Sequence, residues 1–207
     1  MVNLKGPLLS FAASGSLADQ ITYAKSRKGT YARVHGKHVD ANSIEQQARR
    51  LMFGFVASQF LLLPDAAVDS YATEAERLQT SAYNAYLSKN ITRWGHFAPP
   101  SHATPATEDG TNSNTTFLTV VQDGSRWKLS TTGTVMNDTW GIVFWAEPSP
   151  GFTPSIDNTI VVATDVAGTP VERFWTPPQT GQYFFRMRTF TDRGKWGTLS
   201  VQKPPPP

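Results

Sequence analysis

Tyr183-Phe184-Phe185-Arg186-Met187-Arg188-Thr189-Phe190-Thr191-Asp192-Arg193-Gly194-Lys195-Trp196 reads as two antiparallel strands joined at a short Asp/Gly turn. Side chains alternate across a strand, so Tyr183, Phe185 and Met187 share one face while Arg186 and Arg188 share the other, the pattern of a half-buried strand. Five further apolar runs precede this hairpin: 117–121, 127–130, 140–145, 159–163 and 171–175. With the hairpin strands, 183–190 and 195–201, they make seven, separated by turn residues at the spacing of a β-sandwich. We therefore expect an all-β sandwich over 117–203.

Toward the amino terminus the pattern changes. Ile21-Thr22-Tyr23-Ala24 and Tyr31-Ala32-Arg33-Val34 flank Lys25 to Thr30 as a second hairpin, with Gly29 free to take a left-handed conformation in the loop. Asn42 and Ser43, with Glu45 and Gln46 three residues on from each, form a capping-box signal. Ile44, Ala48, Leu51, Met52, Phe55 and Phe60 then recur near the helical period. Pro64-Asp65 opens a second helix, and Ser81 to Asn90 a third, with Tyr83 and Leu87 on one face and Trp94 and Phe97 completing its core. The expected fold class is an α+β amino-terminal domain, a β-hairpin with two to three helices, followed by the sandwich. Its boundaries are 1–104 for the hairpin and helices, 105–116 for a polar linker, 117–203 for the sandwich and 204–207 for a proline tail.

Composition narrows the function classes. The chain has 207 residues, no cysteine and a net charge of +3. Without cysteine it has no disulfide framework and no thiolate nucleophile or ligand. Residues 1–104 hold eleven Lys/Arg against seven Asp/Glu, and the remainder eight against nine. The surplus sits in Lys25, Arg27, Lys28, Arg33 and Lys37, candidates for contact with an acidic protein face or with nucleic acid. The simpler reading is a solvated hairpin whose lysines discourage edge pairing. Gly6, Pro7 and Ser10 interrupt the first apolar stretch, so no secretion signal is expected, and Phe60-Leu61-Leu62-Leu63 is too short to span a bilayer.

No catalytic set stands out. His35 and His38 lack the further ligands a structural zinc site needs. Asp65 and Asp69 suit helix polarity, and Glu74 and Glu76 do not share a helix face. Gly-X-Ser-X-Gly and a phosphate-binding loop ending in Lys-Ser or Lys-Thr are both missing from the sequence. We expect neither an enzyme nor a cofactor. Trp127, Trp140, Trp145, Trp175 and Trp196 invite a glycan-binding reading, but a sandwich needs large core residues, and Trp175 beside Pro177-Pro178 is the tryptophan expected to be exposed. The terminal Pro204-Pro205-Pro206-Pro207 reads as a frayed extended end rather than a recognition motif.

On the residues from Tyr183 to Thr189, the polar turn and Trp196-Gly197-Thr198-Leu199-Ser200, the carboxyl half resembles fibronectin type III and related immunoglobulin-like modules. The resemblance makes Tyr183 the candidate for the tyrosine corner of that fold, a structural role. The amino-terminal half resembles a group of phage and prophage structural-module proteins. The features shared are Ser14-Gly15-Ser16, Lys28-Gly29-Thr30-Tyr31-Ala32-Arg33, Gln46-Gln47-Ala48-Arg49-Arg50 and Ser81-Ala82-Tyr83-Asn84-Ala85-Tyr86, in that order. This implies a virion protein made in a bacterial cytoplasm and present in many copies, with capsid, neck or tail proteins as partners and no membrane insertion. Alternatives are a carbohydrate- or host-surface-binding module and a nucleic-acid contact through the basic hairpin. Arg186 and Arg188 complete the candidate interaction residues.

Overall fold

Thr139–Glu147 is apolar at nearly every position, which a strand tolerates only when both of its faces are covered. A computed structural model of the chain shows what covers them. It describes residues 2–4, 15–17, 21–26, 29–34, 44–107, 117–132, 139–164 and 171–204, with side chains from residue 46 onward except at 117 and 132.

The chain divides into two compact units, Met1–Ala41 and Asn42–Pro207. Among the described residues the first holds four antiparallel strands: β1 (Val2–Leu4), β2 (Gly15–Leu17), β3 (Ile21–Ser26) and β4 (Gly29–Val34). Their order is β1-β4-β3-β2, in which three hairpin-connected strands are joined by a first strand that returns beside the last, a Greek key. The hairpin expected at 21–34 is β3 and β4, paired from Ile21↔Val34 to Ser26↔Gly29.

In the second unit, three helices precede seven strands. The helices are α1 (Ile44–Gln59), α2 (Asp65–Leu78) and α3 (Ala82–Gly95), with a single 3-10 turn, Phe60–Leu62, after α1. The strands are β5 (Phe117–Asp123), β6 (Arg126–Thr132), β7 (Thr139–Glu147), β8 (Thr159–Thr164), β9 (Glu172–Trp175), β10 (Phe184–Thr191) and β11 (Trp196–Leu199). They form two antiparallel sheets, β11-β10-β7-β8 and β5-β6-β9. The fold is thus α+β followed by a β-sandwich, with each strand close to its expected span.

The division between units differs from the expected one. The helices were assigned with the hairpin, and 105–116 was expected to separate them from the sandwich. Instead they cover the outer face of the four-stranded sheet. Alternation along β7 sends Ile142, Phe144 and Ala146 toward the three-stranded sheet, where they join Leu118, Trp127, Leu129, Phe185 and Met187. Val143 and Trp145 point the other way, into a second core with Met52, Phe55, Val56, Tyr86, Trp94 and Phe190. The result is three layers: helices, sheet, sheet. Aromatic rings knit the first two, with Phe55 tilted on Trp140 at 5.1 Å and edge-on to Phe190 at 5.5 Å.

Two local corrections follow from this packing. In α3 the buried face is Ala85, Tyr86, Leu87, Asn90 and Trp94, so Tyr86 rather than Tyr83 is the core tyrosine. Residues 97–104, just before the expected linker, are tied down. Phe97 takes a left-handed backbone (φ 55°), uncommon for a bulky residue, and its ring lies against Trp94, Trp145 and Trp196. The fully buried Asn90 accepts from the Ser101 amide (2.7 Å) and donates to the carbonyls of Tyr86 and Ser101. Of the expected linker, 105–107 are described and 108–116 lie outside the described residues.

The β10–β11 hairpin has the expected turn, with Gly194 at φ +83°. Its tip is docked rather than projecting. Arg93 of α3 donates to the Pro99 carbonyl (2.8 Å) and to the Gly194 carbonyl (2.9 Å), and the His102 amide donates to the Asp192 carbonyl. Trp196 Nε1 donates to the Phe97 carbonyl at 3.1 Å. The His102 ring is held edge-on to Trp140 at 4.2 Å. Burial lowers its pKa from the usual histidine value, against the opposing pull of Asp192.

Candidate functional site

A groove of about 700 Å³ opens in the second unit between α1 and the end of the sandwich where β8 and β9 run along the edges of the two sheets. Ala48, Met52, Phe55, Val56 and Gln59 form the core face of α1, which leaves Gln47, Arg50, Leu51 and Gly54, spaced three and four apart, to form the groove's helical wall. A Cβ on Gly54 would meet nothing within 4 Å, so the glycine leaves the groove open at mid-wall.

Glu147 and Pro148, with Asp157 to Ile160, supply the opposite wall. The loop carrying Asp157 is built by the Asn158 side chain. Its Nδ2 donates to the Thr153 carbonyl (3.0 Å) and its Oδ1 accepts from the Ser155 amide (2.8 Å), while Thr159 Oγ1 donates to the Ser155 carbonyl.

The third wall runs from Trp175 to Tyr183. Trp175 stands opposite Trp127 in the β6–β9 register, and Tyr183 and Phe185 hold it in T-shaped contacts at 5.0 and 6.0 Å. Tyr183 is buried, and its hydroxyl donates to the Gln179 carbonyl at 3.2 Å, closing the segment before β10. Trp175, expected to be exposed, is therefore half-buried at the groove's edge. Trp94, Trp127, Trp140 and Trp145 are buried core residues.

The remaining sequence candidates do not converge. Arg186 and Arg188 do lie on the opposite face from Phe185 and Met187, but that face is covered. Arg188 stacks on Trp196 at 5.3 Å and donates through Nε to the Gly197 carbonyl, and Arg186 lies over Phe152 at 5.6 Å and reaches Gln202. Both are half-buried structural arginines. Arg27, Lys28 and Lys37 lie outside the described residues. Lys25 pairs with Thr30 and Arg33 with Thr22 in the β3–β4 register. Among the described residues no three His, Asp or Glu lie close enough to hold a metal ion, and no single helix is long and apolar enough to cross a membrane.

An apolar corner ends α1. Leu61 and Leu62 are 90% and 72% exposed, and Phe53 is 49% exposed. Phe53, Ala57, Phe60 and Leu61 stand at i, i+4, i+7 and i+8, one stripe of the helix, and the Phe60 ring meets Tyr83 of α3 edge-on at 5.1 Å. Ala57 and Phe60 are half-buried against the helix-side core, and Phe53 and Leu61 extend the stripe into solvent. Of Phe53, Phe55 and Phe60, only Phe55 belongs wholly to the core.

The groove is not legible in the sequence because its helical wall, 47–55, and its sandwich walls, 146–183, are far apart in the chain. The one local signal was Gly54, a poor helix former inside an otherwise regular helical pattern. Neither a known protein family nor a curated protein matches the chain.

Proposed function

We propose that this chain is a non-enzymatic structural protein of a tailed-phage virion, present in many copies and held in place by contacts with other virion proteins of the capsid, neck or tail. The observation that carries the reading is the apolar corner: adjacent leucines projecting at a turn, with Phe53 exposed on α1, are costly in water and suit a protein partner. The order of motifs shared with phage structural modules supports the class.

The sandwich in this reading is an immunoglobulin-like domain of the fibronectin type III kind. In immunoglobulin domains strands A, B and E share one sheet, and C, F and G the other. Here β5, β6 and β9 pair as A, B and E would, and β7, β10 and β11 as C, F and G would, with β8 beside β7 where variable-type domains add C′. The Tyr183–Gln179 bond at the start of the penultimate strand supports a tyrosine corner. Because the helices share a core with this sandwich, the docking surface and the immunoglobulin-like layer belong to one body.

Mass spectrometry of purified particles tests the proposal directly. Peptides of the chain are expected in the particle, and Leu61→Asp with Leu62→Asp is expected to lower incorporation with no loss of melting temperature. A chain that stays monomeric, binds no capsid, neck or tail protein and is missing from particles overturns it.

A further inference from the structure

We propose that the groove between α1, the β7–β8 loop and Trp175 binds a neutral oligosaccharide. Its lining is mostly apolar, with a few polar side chains set among the apolar ones, the usual make-up of a small-ligand site. Trp175 supplies aromatic area, and the side chains of Glu147, Asp157 and Gln179 supply polar atoms that make no hydrogen bond or ion pair among the described residues. Its volume of about 700 Å³ lies inside the range of small-ligand sites.

Sugar chemistry fits these parts. A pyranose presents a face of C–H groups, weakly positive, which pairs with the negative face of an indole ring. Its rim of hydroxyls both donates and accepts, and so needs acceptor-only carboxylates alongside amides that do both. Trp175 provides the first, and Asp157, Glu147 and Gln179 provide the second. The rim carries two carboxylates and one guanidinium, that of Arg50, so its charge balance is negative and disfavours acidic sugars.

The walls are also set before any ligand arrives. Asn158 fixes the Asp157 loop, Tyr183 fixes the segment carrying Gln179, and the T-shaped contacts fix the Trp175 plane. Little ordering cost is left for binding. The groove is partly open to solvent, as a chain of sugars on a larger surface would require. This site does not depend on the virion assignment and is tested on the isolated chain.

The experiment titrates the chain with maltotriose, cellotriose and tri-N-acetylchitotriose, with sialyllactose as the acidic comparison, following indole N–H resonances by NMR. At least one neutral trisaccharide is expected to shift the Trp175 resonance at millimolar concentration and leave the buried Trp145 resonance unmoved, with sialyllactose weaker. Trp175→Ala is expected to weaken binding by about tenfold or more. Because Trp175 also packs on Tyr183, two further variants keep the test independent of folding. Gly54→Trp, which fills the groove from a helix position that tolerates a side chain, and Asp157→Asn, which alters only an exposed rim, are each expected to weaken binding at unchanged melting temperature. No shift at Trp175 with any neutral sugar, or binding that survives Gly54→Trp unchanged, overturns the proposal. So does a groove that accepts only an apolar dye.

Discussion

Two core tyrosines, Tyr183 and Tyr86, differ in whether the hydroxyl has a partner, and that difference sets opposite signs for the same substitution. Tyr183 Oη donates to the Gln179 carbonyl, so Tyr183→Phe is expected to lose about 1 kcal/mol in chemical denaturation. Tyr86 Oη is buried with no partner among the described residues, and burial raises its pKa above the tyrosine range. Tyr86→Phe removes an unpaired polar atom and is expected to raise stability by about 1 kcal/mol. Tyr71 is the intermediate case: burial pushes its pKa up to about 12, yet its hydroxyl donates to the Ser101 carbonyl and accepts from Asn90. Gly141 matters for space. A Cβ there would lie 2.4 Å from the Phe190 ring, which covers the glycine while packing on Phe55, Trp140 and Trp196. Gly141→Ala is expected to cost about 1–3 kcal/mol by overpacking, measured as a lower denaturation midpoint.

Among the elements, α2 and α3 are joined on their exposed side by Glu74, which pairs with Arg77 at 2.6 Å and with Lys89 of α3 at 2.7 Å. The hydrogen bonds from Arg77, then those from Lys89, hold the Glu74 carboxyl at about 2, below the usual glutamate value. A depressed carboxylate stabilises the fold above its unfolded pKa of about 4.3, and that contribution disappears as pH falls toward 2. Glu74→Gln is therefore expected to reduce the acid dependence of stability across that window, an effect that shrinks in high salt because the cluster faces water. Strands and helices were legible because each has a local cause. Period-two alternation marked β10, Pro64-Asp65 marked α2, and Ser81 caps α3 by accepting from the Asn84 amide. Tyr83 was misread because both Tyr83 and Tyr86 fit a helical period, and only the position of α2 and of Phe60 decides which is enclosed.

Across the whole molecule, the four-stranded sheet β11-β10-β7-β8 is the middle layer of the second unit, and its outer face cannot stay in water. A chain of residues 42–207 is expected to fold cooperatively with all of its helical signal. Residues 117–203 alone are expected to aggregate or bind a hydrophobic dye, because Val143, Trp145, Phe190 and Trp196 lose the cover of α1 and α3. A soluble, cooperatively melting 117–203 fragment would show that the helices are an accessory. The sequence by itself determined the β3–β4 hairpin, the three helices, the seven strands after residue 116, the hairpin turn at Gly194 and the alternation along β10, because these depend on neighbours a few residues away, whereas β1 and β2 carried no such local signal. Only the tertiary structure decided that the helices belong with the sandwich, that Arg186 and Arg188 are covered, and that Gln47, Gly54, Asp157 and Trp175 meet at one groove. The physical reason is that an apolar strand such as β7 announces burial on both faces but carries no information about which distant segment supplies the second cover.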